Sequence, residues 1–257
     1  MLHRYFAMAV GFLIIVLAVL AWRRYRRAPD RSPWPATLSL VAVCVQGAFG
    51  AWTVTMKLQP VIVTFHLLGG LTLLALLVWT AMRETPAAIT AAPLAALRVP
   101  LAAAALVLVL QIALGGWVSA NYAVMACPDF PQCQGRWVPD MNLRDGFTIW
   151  RELGMTDAGR PIPFDALVAV HWVHRSFAVL AVLLLGGLSW RTWREPRLAS
   201  IARVLAIVLV VQFLTGLSNV VLQWPLLLAL AHNGGAALLV ALLTAMVVRA
   251  SRGRAAR

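Results

Sequence analysis

Residues 45–70 read VQGAFGAWTVTMKLQPVIVTFHLLGG, and residues 211–235 read VQFLTGLSNVVLQWPLLLALAHNGG. Each stretch consists of two apolar segments joined at a proline-containing turn, and three positions recur at a fixed offset of 166 residues. These positions are Gln46 and Gln212, Gly50 and Gly216, and His66 and His232. The prolines of the turns, Pro60 and Pro225, are 165 residues apart, so a one-residue gap falls in the turn. The chain therefore contains an internal repeat.

The apolar segments are long enough to cross a membrane. Of the 257 residues, 61% are hydrophobic and 12% are charged, and the mean hydropathy is +0.82. A soluble domain carries about twice this charged fraction, whereas about 20 consecutive apolar residues span a bilayer. The sequence predicts an all-α membrane protein with seven transmembrane helices. The predicted spans are 3–22, 36–56, 60–82, 99–120, 165–190, 200–222 and 226–248.

The net charge of +13 comes mainly from arginines that cluster in the connections between spans. We interpret these clusters as topology signals rather than as a nucleic-acid surface, and we expect no nucleic-acid partner. They are Arg23, Arg24, Arg26, Arg27 and Arg31; Arg83 and Arg98; Arg191, Arg194, Arg197 and Arg203; and Arg249, Arg252, Arg254 and Arg257. The positive-inside rule then predicts a cytoplasmic carboxyl terminus, with the amino terminus and loop 121–164 outside.

The repeat includes the first and fifth spans as well. His3 and Arg4 correspond to His174 and Arg175, and each pair precedes an apolar run that ends in arginines. Both copies have the same orientation by arginine placement, so the repeat is parallel, about an axis along the membrane normal. The span 99–120 has no counterpart in the first copy, so a complete repeat would place an extra span and loop before the first residue.

All five histidines lie in the spans or at their ends. An imidazole at membrane depth usually faces an interior site, although each one alone could be a buried side chain bonded to a carbonyl. His66 and His232 follow the turn prolines by similar distances, which places both roughly 9–11 Å into their helices, and His174 lies at a similar depth. Two imidazoles at one level on facing helices can hold a haem iron from both sides. Zinc would need further thiolate or carboxylate ligands, and the spans contain only Cys44.

Residues near the histidines suit a flat macrocycle. Glycine pairs follow two of them, at 69–70 and 234–235 (the second pair including Gly235), although small residues also serve helix packing alone. Arg4 and Arg175 could pair with propionates or could reach to lipid headgroups. His171 lies three residues before His174 on the same helix face, and we expect it to support the ligand rather than bind iron.

The three cysteines fall into two groups. Cys44 lies within a span, where it is expected to be a small buried apolar residue. Cys127 and Cys133 lie in the outer loop within Cys-Pro-Asp-Phe-Pro-Gln-Cys. Outside the bacterial cytoplasm two nearby thiols usually oxidise to each other, so we predict a disulfide between them, either structural or exchangeable.

Taken together, the His-Arg pairs, the histidines followed by glycine pairs, the Gln-x-x-x-Gly stretches and the cysteine loop resemble the haem A synthase family. The resemblance covers essentially the whole chain. It implies two four-helix bundles in a pseudo-twofold arrangement and oxidation of a ring methyl of haem O to the formyl group of haem A by successive hydroxylations. It also implies a bacterial inner-membrane location, with a haem b cofactor in the carboxyl-terminal bundle and the substrate in the amino-terminal one.

The resemblance assigns roles to individual residues. His174 and His232 are expected to ligate haem b, with Arg175 and Gly235 in contact with it, and His3 and His66 are expected to flank haem O as catalytic residues. His171 and Arg4 are expected to support these groups, and Cys127 and Cys133 to form the loop disulfide. The predicted division is 1–83 for the substrate half, 84–120 for the connection and first helix of the second bundle, 121–164 for the outer loop and 165–257 for the rest of the haem b half.

The resemblance also implies eight spans, of which the first, with its own cysteine loop, is missing here. The family's Glu-x-x-His-Arg motif would put its glutamate immediately before Met1, and His171 fills the equivalent place in the second half. We therefore expect that the sequence starts at an internal methionine or is a fragment, which leaves the first half without that glutamate.

The expected partners are haem O and the lipid bilayer, with haem O synthase, oxidase assembly factors and a second copy of the chain as candidates. Two other functions fit parts of the pattern. A quinol-linked di-haem b electron carrier needs the same paired histidines but would keep two b haems permanently. A transporter with a parallel repeat would bind no haem.

Overall fold

The computed structural model describes residues 2–29, 32–84 and 94–251, and seven helices in these ranges are long and apolar enough to span a membrane. They are α1 (Leu2–Arg27), α2 (Trp34–Thr55), α3 (Pro60–Glu84), α4 (Arg98–Ala120), α6 (Phe164–Thr192), α7 (Ala199–Val221) and α8 (Leu226–Ser251). A four-residue helix, α5 (Leu143–Gly146), lies in the loop before α6. In the described ranges the chain contains no strand and only two isolated β-bridges, so the predicted all-α membrane fold is confirmed.

The helix ends lie close to the predicted spans, with one clear difference. The first span was predicted to end at residue 22, whereas α1 continues to Arg27. Arginines favour helices and their side chains reach water at the membrane surface, so a helix need not stop where its apolar run stops. Of the predicted cytoplasmic arginines, Arg31, Arg252, Arg254 and Arg257 lie outside the described residues.

Helix packing follows the repeat. The consecutive helices α1, α2 and α3 pack in sequence, and α6, α7 and α8 pack in the same order. Helix α4 packs mainly against α6, and the two halves meet where α3 contacts α4 and α8. The structure thus places the first three helices beside a four-helix unit made of α4, α6, α7 and α8. The residue boundaries predicted for the two halves stay predictions.

The turns between α2 and α3 and between α7 and α8 have the same backbone conformation. Lys57 and Leu58 have φ of 51° and 60°, and Gln223 and Trp224 have φ of 57° and 61°. In each turn an N–H at the second of these positions donates to a carbonyl five residues earlier, at 2.9 Å in the first copy and 2.8 Å in the second. Two consecutive left-handed non-glycine residues are uncommon, so their recurrence supports the repeat at the level of backbone geometry.

Most of the buried apolar core lies in the second half. One cluster of buried residues joins α4, α6, α7 and α8, and Leu67, Leu68 and Leu71 of α3 pack against it. By contrast, only Ile14 and Ala18 of α1 are buried. Many large apolar side chains on the long helices are exposed, as expected for surfaces that face lipid rather than water.

Candidate functional site

A cavity of about 250 Å³ lies inside the second half. Side chains from α4, α6, α7 and α8 line it, and Leu67 and Leu71 of α3 close one wall. His174 from α6 and His232 from α8 both line this cavity. The structure therefore brings together, in one internal space, the two histidines that the sequence analysis paired.

A glutamine and a glycine of α4 fix the surroundings of His174. Gln111 Nε2 lies 3.2 Å from His174 Nδ1 and donates to the His174 carbonyl at 3.3 Å. A Cβ built on Gly115, one helical turn further along α4, would lie only 2.9 Å from His174 Cε1. The ring thus occupies space that any side chain at residue 115 would fill.

His232 has the corresponding neighbours from α7. Gln212 Nε2 lies 3.3 Å from His232 Nε2, and a Cβ on Gly216 would lie 3.0 Å from His232 Cε1. The other ring nitrogen, Nδ1, lies 3.1 Å from the Thr215 hydroxyl and 3.1 Å from the Gln212 carbonyl. A proton on Nδ1 can therefore be donated to one of these oxygens.

Three buried polar atoms of the cavity lining have no hydrogen-bond partner: Gln111 Oε1, Gln212 Oε1 and Asn219 Oδ1. Buried acceptors normally have partners, and an unpaired one costs about 1–3 kcal/mol, so the lining is suited to a ligand that brings its own polar groups. Across the described ranges no cluster of three or more His, Cys, Asp or Glu could hold a bare metal ion. Two imidazoles that line one cavity, ring positions shaped by glycines and unpaired polar atoms fit a large metal-bearing ligand such as haem.

The first half contains the same local arrangement around His66 of α3. Gln46 Nε2 lies 3.0 Å from His66 Nδ1 and donates to the His66 carbonyl at 2.5 Å. A Cβ on Gly50 would lie 3.1 Å from His66 Cε1. The His3 ring of α1 stands edge-on to His66, with 6.3 Å between ring centroids. The two histidines predicted to flank the substrate are therefore neighbours, and Arg4 lies exposed beside His3.

Two of the glycines that follow the histidines make room for glutamine side chains. A Cβ on Gly69 would collide with the Gln46 carboxamide, and a Cβ on Gly235 would collide with the Gln212 carboxamide. By contrast, a Cβ on Gly234 would meet nothing within 4 Å. The contact of Gly235 with a cofactor stays a prediction, but its effect on Gln212 is a separate reason for a glycine there.

The predicted disulfide between Cys127 and Cys133 is present, and both cysteines are buried. Arg175 holds the loop that they close: its Nη atoms donate to the carbonyls of Cys127, Asp129, Pro131 and Gln132 at 2.8–3.4 Å. His171 is buried and its Nδ1 accepts the Cys127 N–H at 3.3 Å. Both His171 and Arg175 also line the cavity. His171 and Arg175, which were predicted to support haem b, therefore anchor the cysteine loop and also line the cavity.

An aspartate inside the same loop stabilises its turn. The Asp129 carboxylate accepts the N–H groups of Gln134 and Gly135, each at 2.8 Å. The bond from Gly135 is the largest cause that lowers the pKa of Asp129 below its ordinary value, because it favours the charged form. Gly135 has a φ of 72°, which is the backbone region that favours glycine.

Loop 121–164 is also tied to the carboxyl-terminal end of α4. Trp117 Nε1 donates to the Gly146 carbonyl at 2.8 Å, and buried Arg151 donates to Asn121 Oδ1. Burial lowers the pKa of Arg151, and its guanidinium lies 5.8 Å from the Trp117 ring centroid. The loop is therefore an ordered cap over the second half.

Sequence reasoning identified the Gln-x-x-x-Gly stretches as part of the repeat but did not assign them to the histidines. The structure shows each glutamine and the glycine one turn later on the same helix face, both against one imidazole. The signal was present in the sequence, since the spacing of four occurs in three helices at Gln46, Gln111 and Gln212. The contact of Thr215 with His232 leaves no such signal, because the corresponding residues after Gln46 and Gln111 are Phe49 and Leu114.

Comparison with known proteins places these features in one family. The family profile described as "Cytochrome oxidase assembly protein" matches residues 1–244. The heme A synthase of Shewanella oneidensis is 37% identical over 248 residues, which cover 93% of this chain and 72% of that protein. The heme A synthase of Shouchella clausii is 29% identical over 98% of this chain and 80% of its own length. The heme A synthase of Sphingopyxis alaskensis is 31% identical over 98% of this chain and 69% of its own length. The chain therefore belongs to the haem A synthase family of cytochrome oxidase assembly proteins.

Proposed function

We propose that this protein is a haem A synthase that oxidises a ring methyl of haem O to the formyl group of haem A by successive hydroxylations. The observation that carries the proposal is that His174 of α6 and His232 of α8 line one cavity, in a chain whose relatives are named heme A synthase. Fold alone would not identify a reaction, but the family match and the histidine site point to the same chemistry.

His174 and His232 are the residues that would hold a haem b cofactor, one from α6 and one from α8. When bound, this cofactor would supply a one-electron redox centre beside the substrate half. The protein's own contribution is to fix two imidazoles before the iron arrives, with Gly115 and Gly216 shaping the ring positions. Asn219 and Ser119 from the cavity lining are polar groups available to the edge of the macrocycle.

The substrate site in this proposal lies in the first half. His3 and His66 are adjacent on α1 and α3 and would flank haem O, and Arg4 lies beside them. The contact of α3 with α4 connects the halves: a Cβ on Gly116 would lie 2.9 Å from Leu67, the residue after His66. Since Leu67 also lines the haem b cavity, the two sites share the wall formed by α3.

We also propose that the protein resides in the bacterial inner membrane with the cysteine loop outside and the carboxyl terminus in the cytoplasm. Seven apolar helices support a multi-pass membrane protein. The arginine clusters support this orientation by the positive-inside rule.

The test is to produce the full chain in a host that makes haem O, purify it in detergent and identify the bound haems by extraction and mass spectrometry. We expect one equivalent of haem b, together with smaller amounts of haem O and haem A. Two retained equivalents of haem b without haem A would instead indicate the di-haem electron carrier, and a colourless protein would exclude both functions.

Histidine variants assign the sites. We expect His174→Ala and His232→Ala to lose bound haem b, because one axial bond is removed and the cavity opens. We expect His66→Ala to keep haem b but to yield no haem A. Low-spin haem b retained in both His174→Ala and His232→Ala would contradict the ligand assignment.

A further inference from the structure

Three histidines of the described helices share one local arrangement that is independent of which half they belong to. Each ring lies against a glutamine of the neighbouring helix and against a glycine one turn further along that helix. The three sets are His66 with Gln46 and Gly50, His174 with Gln111 and Gly115, and His232 with Gln212 and Gly216. We call this arrangement the Gln-Gly-His unit.

The units differ in which ring nitrogen the glutamine approaches. In two of them, Gln46 and Gln111, the carboxamide lies at Nδ1, at 3.0 Å and 3.2 Å. In the third, Gln212 lies at Nε2 of His232, and Nδ1 is next to the Thr215 hydroxyl and the Gln212 carbonyl instead. In all three units Nδ1 therefore has a protein partner from the adjacent helix.

A partner at Nδ1 has a consequence for metal binding. A neutral imidazole carries its proton on one nitrogen, and a histidine that binds a metal through Nε2 keeps the proton on Nδ1 and donates it to a neighbour. The glutamine must then present its oxygen to Nδ1. Gln111 Oε1 is buried without a partner. A half-turn of the carboxamide would bring that oxygen to Nδ1 and turn the NH2 group to the position that Oε1 now occupies, at the cost of the 3.3 Å bond to the His174 carbonyl.

We propose that Gln111 is a positioning residue that accepts the Nδ1 proton of His174 and so directs Nε2 to the haem b iron. This inference rests on the proposed haem b site and extends it to a residue that sets the basicity of the ligand. Gly115 allows the His174 ring to reach Gln111, because a side chain at residue 115 would occupy the space of the ring. The acceptors at Nδ1 of His232 are the Thr215 hydroxyl and the Gln212 carbonyl, so this role is not assigned to the Gln212 side chain.

The test uses the full chain with haem bound and compares Gln111→Glu with Gln111→Leu. A carboxylate accepts the Nδ1 proton more strongly, makes the ligand more basic and stabilises ferric iron, so Gln111→Glu should lower the haem midpoint potential. Gln111→Leu removes the acceptor and should raise the midpoint potential. Loss of the hydrogen-bond partner of a metal-binding histidine typically weakens metal binding by about 10- to 100-fold. Redox titration, the electron paramagnetic resonance spectrum and haem content are measured on each purified variant.

Two controls separate positioning from a general packing defect. Val109→Leu changes an exposed position of α4 that does not line the cavity and should leave the potential unchanged. Gln46→Leu acts on His66 and should also leave the haem b potential unchanged. If the role of Gln111 were purely structural, Gln111→Glu and Gln111→Leu would both change the haem content, but they would not shift the midpoint potential in opposite directions.

The possible failures are distinct. If the unmodified protein binds no haem b, the proposed function fails before this inference is tested. If it binds haem b through His174 and His232 but Gln111→Glu and Gln111→Leu both keep the original potential, the proposed function stands and the role of Gln111 is refuted.

Discussion

At the scale of single residues, the space available to an imidazole is set by what is absent from the opposite helix. Near Gly50, Gly115 and Gly216 the Cε1 atom of a histidine lies only 2.9–3.1 Å from the position that a Cβ on the glycine would take. Such separations are shorter than ordinary van der Waals contact between carbons, which is about 3.5–4.0 Å. These glycines are therefore part of the histidine sites, and close helix packing alone does not account for them.

The substitution Gly115→Ala tests this at one site. Alanine favours the helix by about 1 kcal/mol over glycine, but overpacking typically costs about 1–3 kcal/mol, and the added methyl would have to displace the His174 ring. We expect the variant to fold but to bind haem b substoichiometrically with an altered low-spin spectrum, measured by absorbance on purified protein.

The matched control is Gly187→Ala on α6, where an added Cβ meets nothing within 4 Å. It should keep full haem content and gain up to about 1 kcal/mol of stability from helix propensity. An unchanged haem content and spectrum in Gly115→Ala would show that the ring position does not depend on this glycine.

At the scale of elements, the long helices were predictable and most of the contacts between them were not. Hydropathy alone gives each span to within a few residues, because the bilayer requires about 20 apolar residues whatever the tertiary structure. The pairing of Gln111 with His174 depends on the rotation and depth of α4 relative to α6, and hydropathy is insensitive to both. The four carbonyl contacts of Arg175 depend on the conformation of residues 127–132, which the sequence analysis did not address.

Arg175 of α6 connects the cysteine loop to the cavity, and Arg175→Lys tests whether this side chain orders the loop. Arginine donates to four carbonyls through two nitrogens, whereas lysine keeps the charge but has a single nitrogen with three donors. We expect residues 127–135 to exchange their amide hydrogens faster in the variant, measured by hydrogen exchange and mass spectrometry. Arg136→Lys, in an exposed ion pair with Asp140 in the same loop, should leave exchange nearly unchanged. Equal protection in Arg175→Lys and the unmodified protein would show that the disulfide and Asp129 suffice to order the loop.

At the scale of the whole molecule, the two halves of the repeat place their histidines differently. The first half presents His66 next to His3, and in the second half His174 and His232 line one cavity. Helix α3 belongs to the first half by sequence, yet its Leu67 and Leu71 line the cavity of the second. The repeat was visible in the sequence because its glutamines, glycines and histidines keep a fixed spacing, whereas this shared wall became visible only once the helices were packed.

The orientation of the whole molecule is the last prediction, and it follows from the charge of the connections. Asp157 in the long loop and Arg194 between α6 and α7 are both exposed, and the positive-inside rule puts them on opposite sides of the membrane. In a Cys44→Ala background, a cysteine introduced by Asp157→Cys should react with a membrane-impermeant maleimide on intact spheroplasts. A cysteine introduced by Arg194→Cys should react only after the membrane is permeabilised, because the arginine clusters are retained in the cytoplasm. Haem content of both variants serves as the folding control. The reverse labelling pattern would put the cysteine loop in the cytoplasm, where thiols are kept reduced, and would contradict both the orientation and the persistence of the Cys127–Cys133 disulfide in the cell.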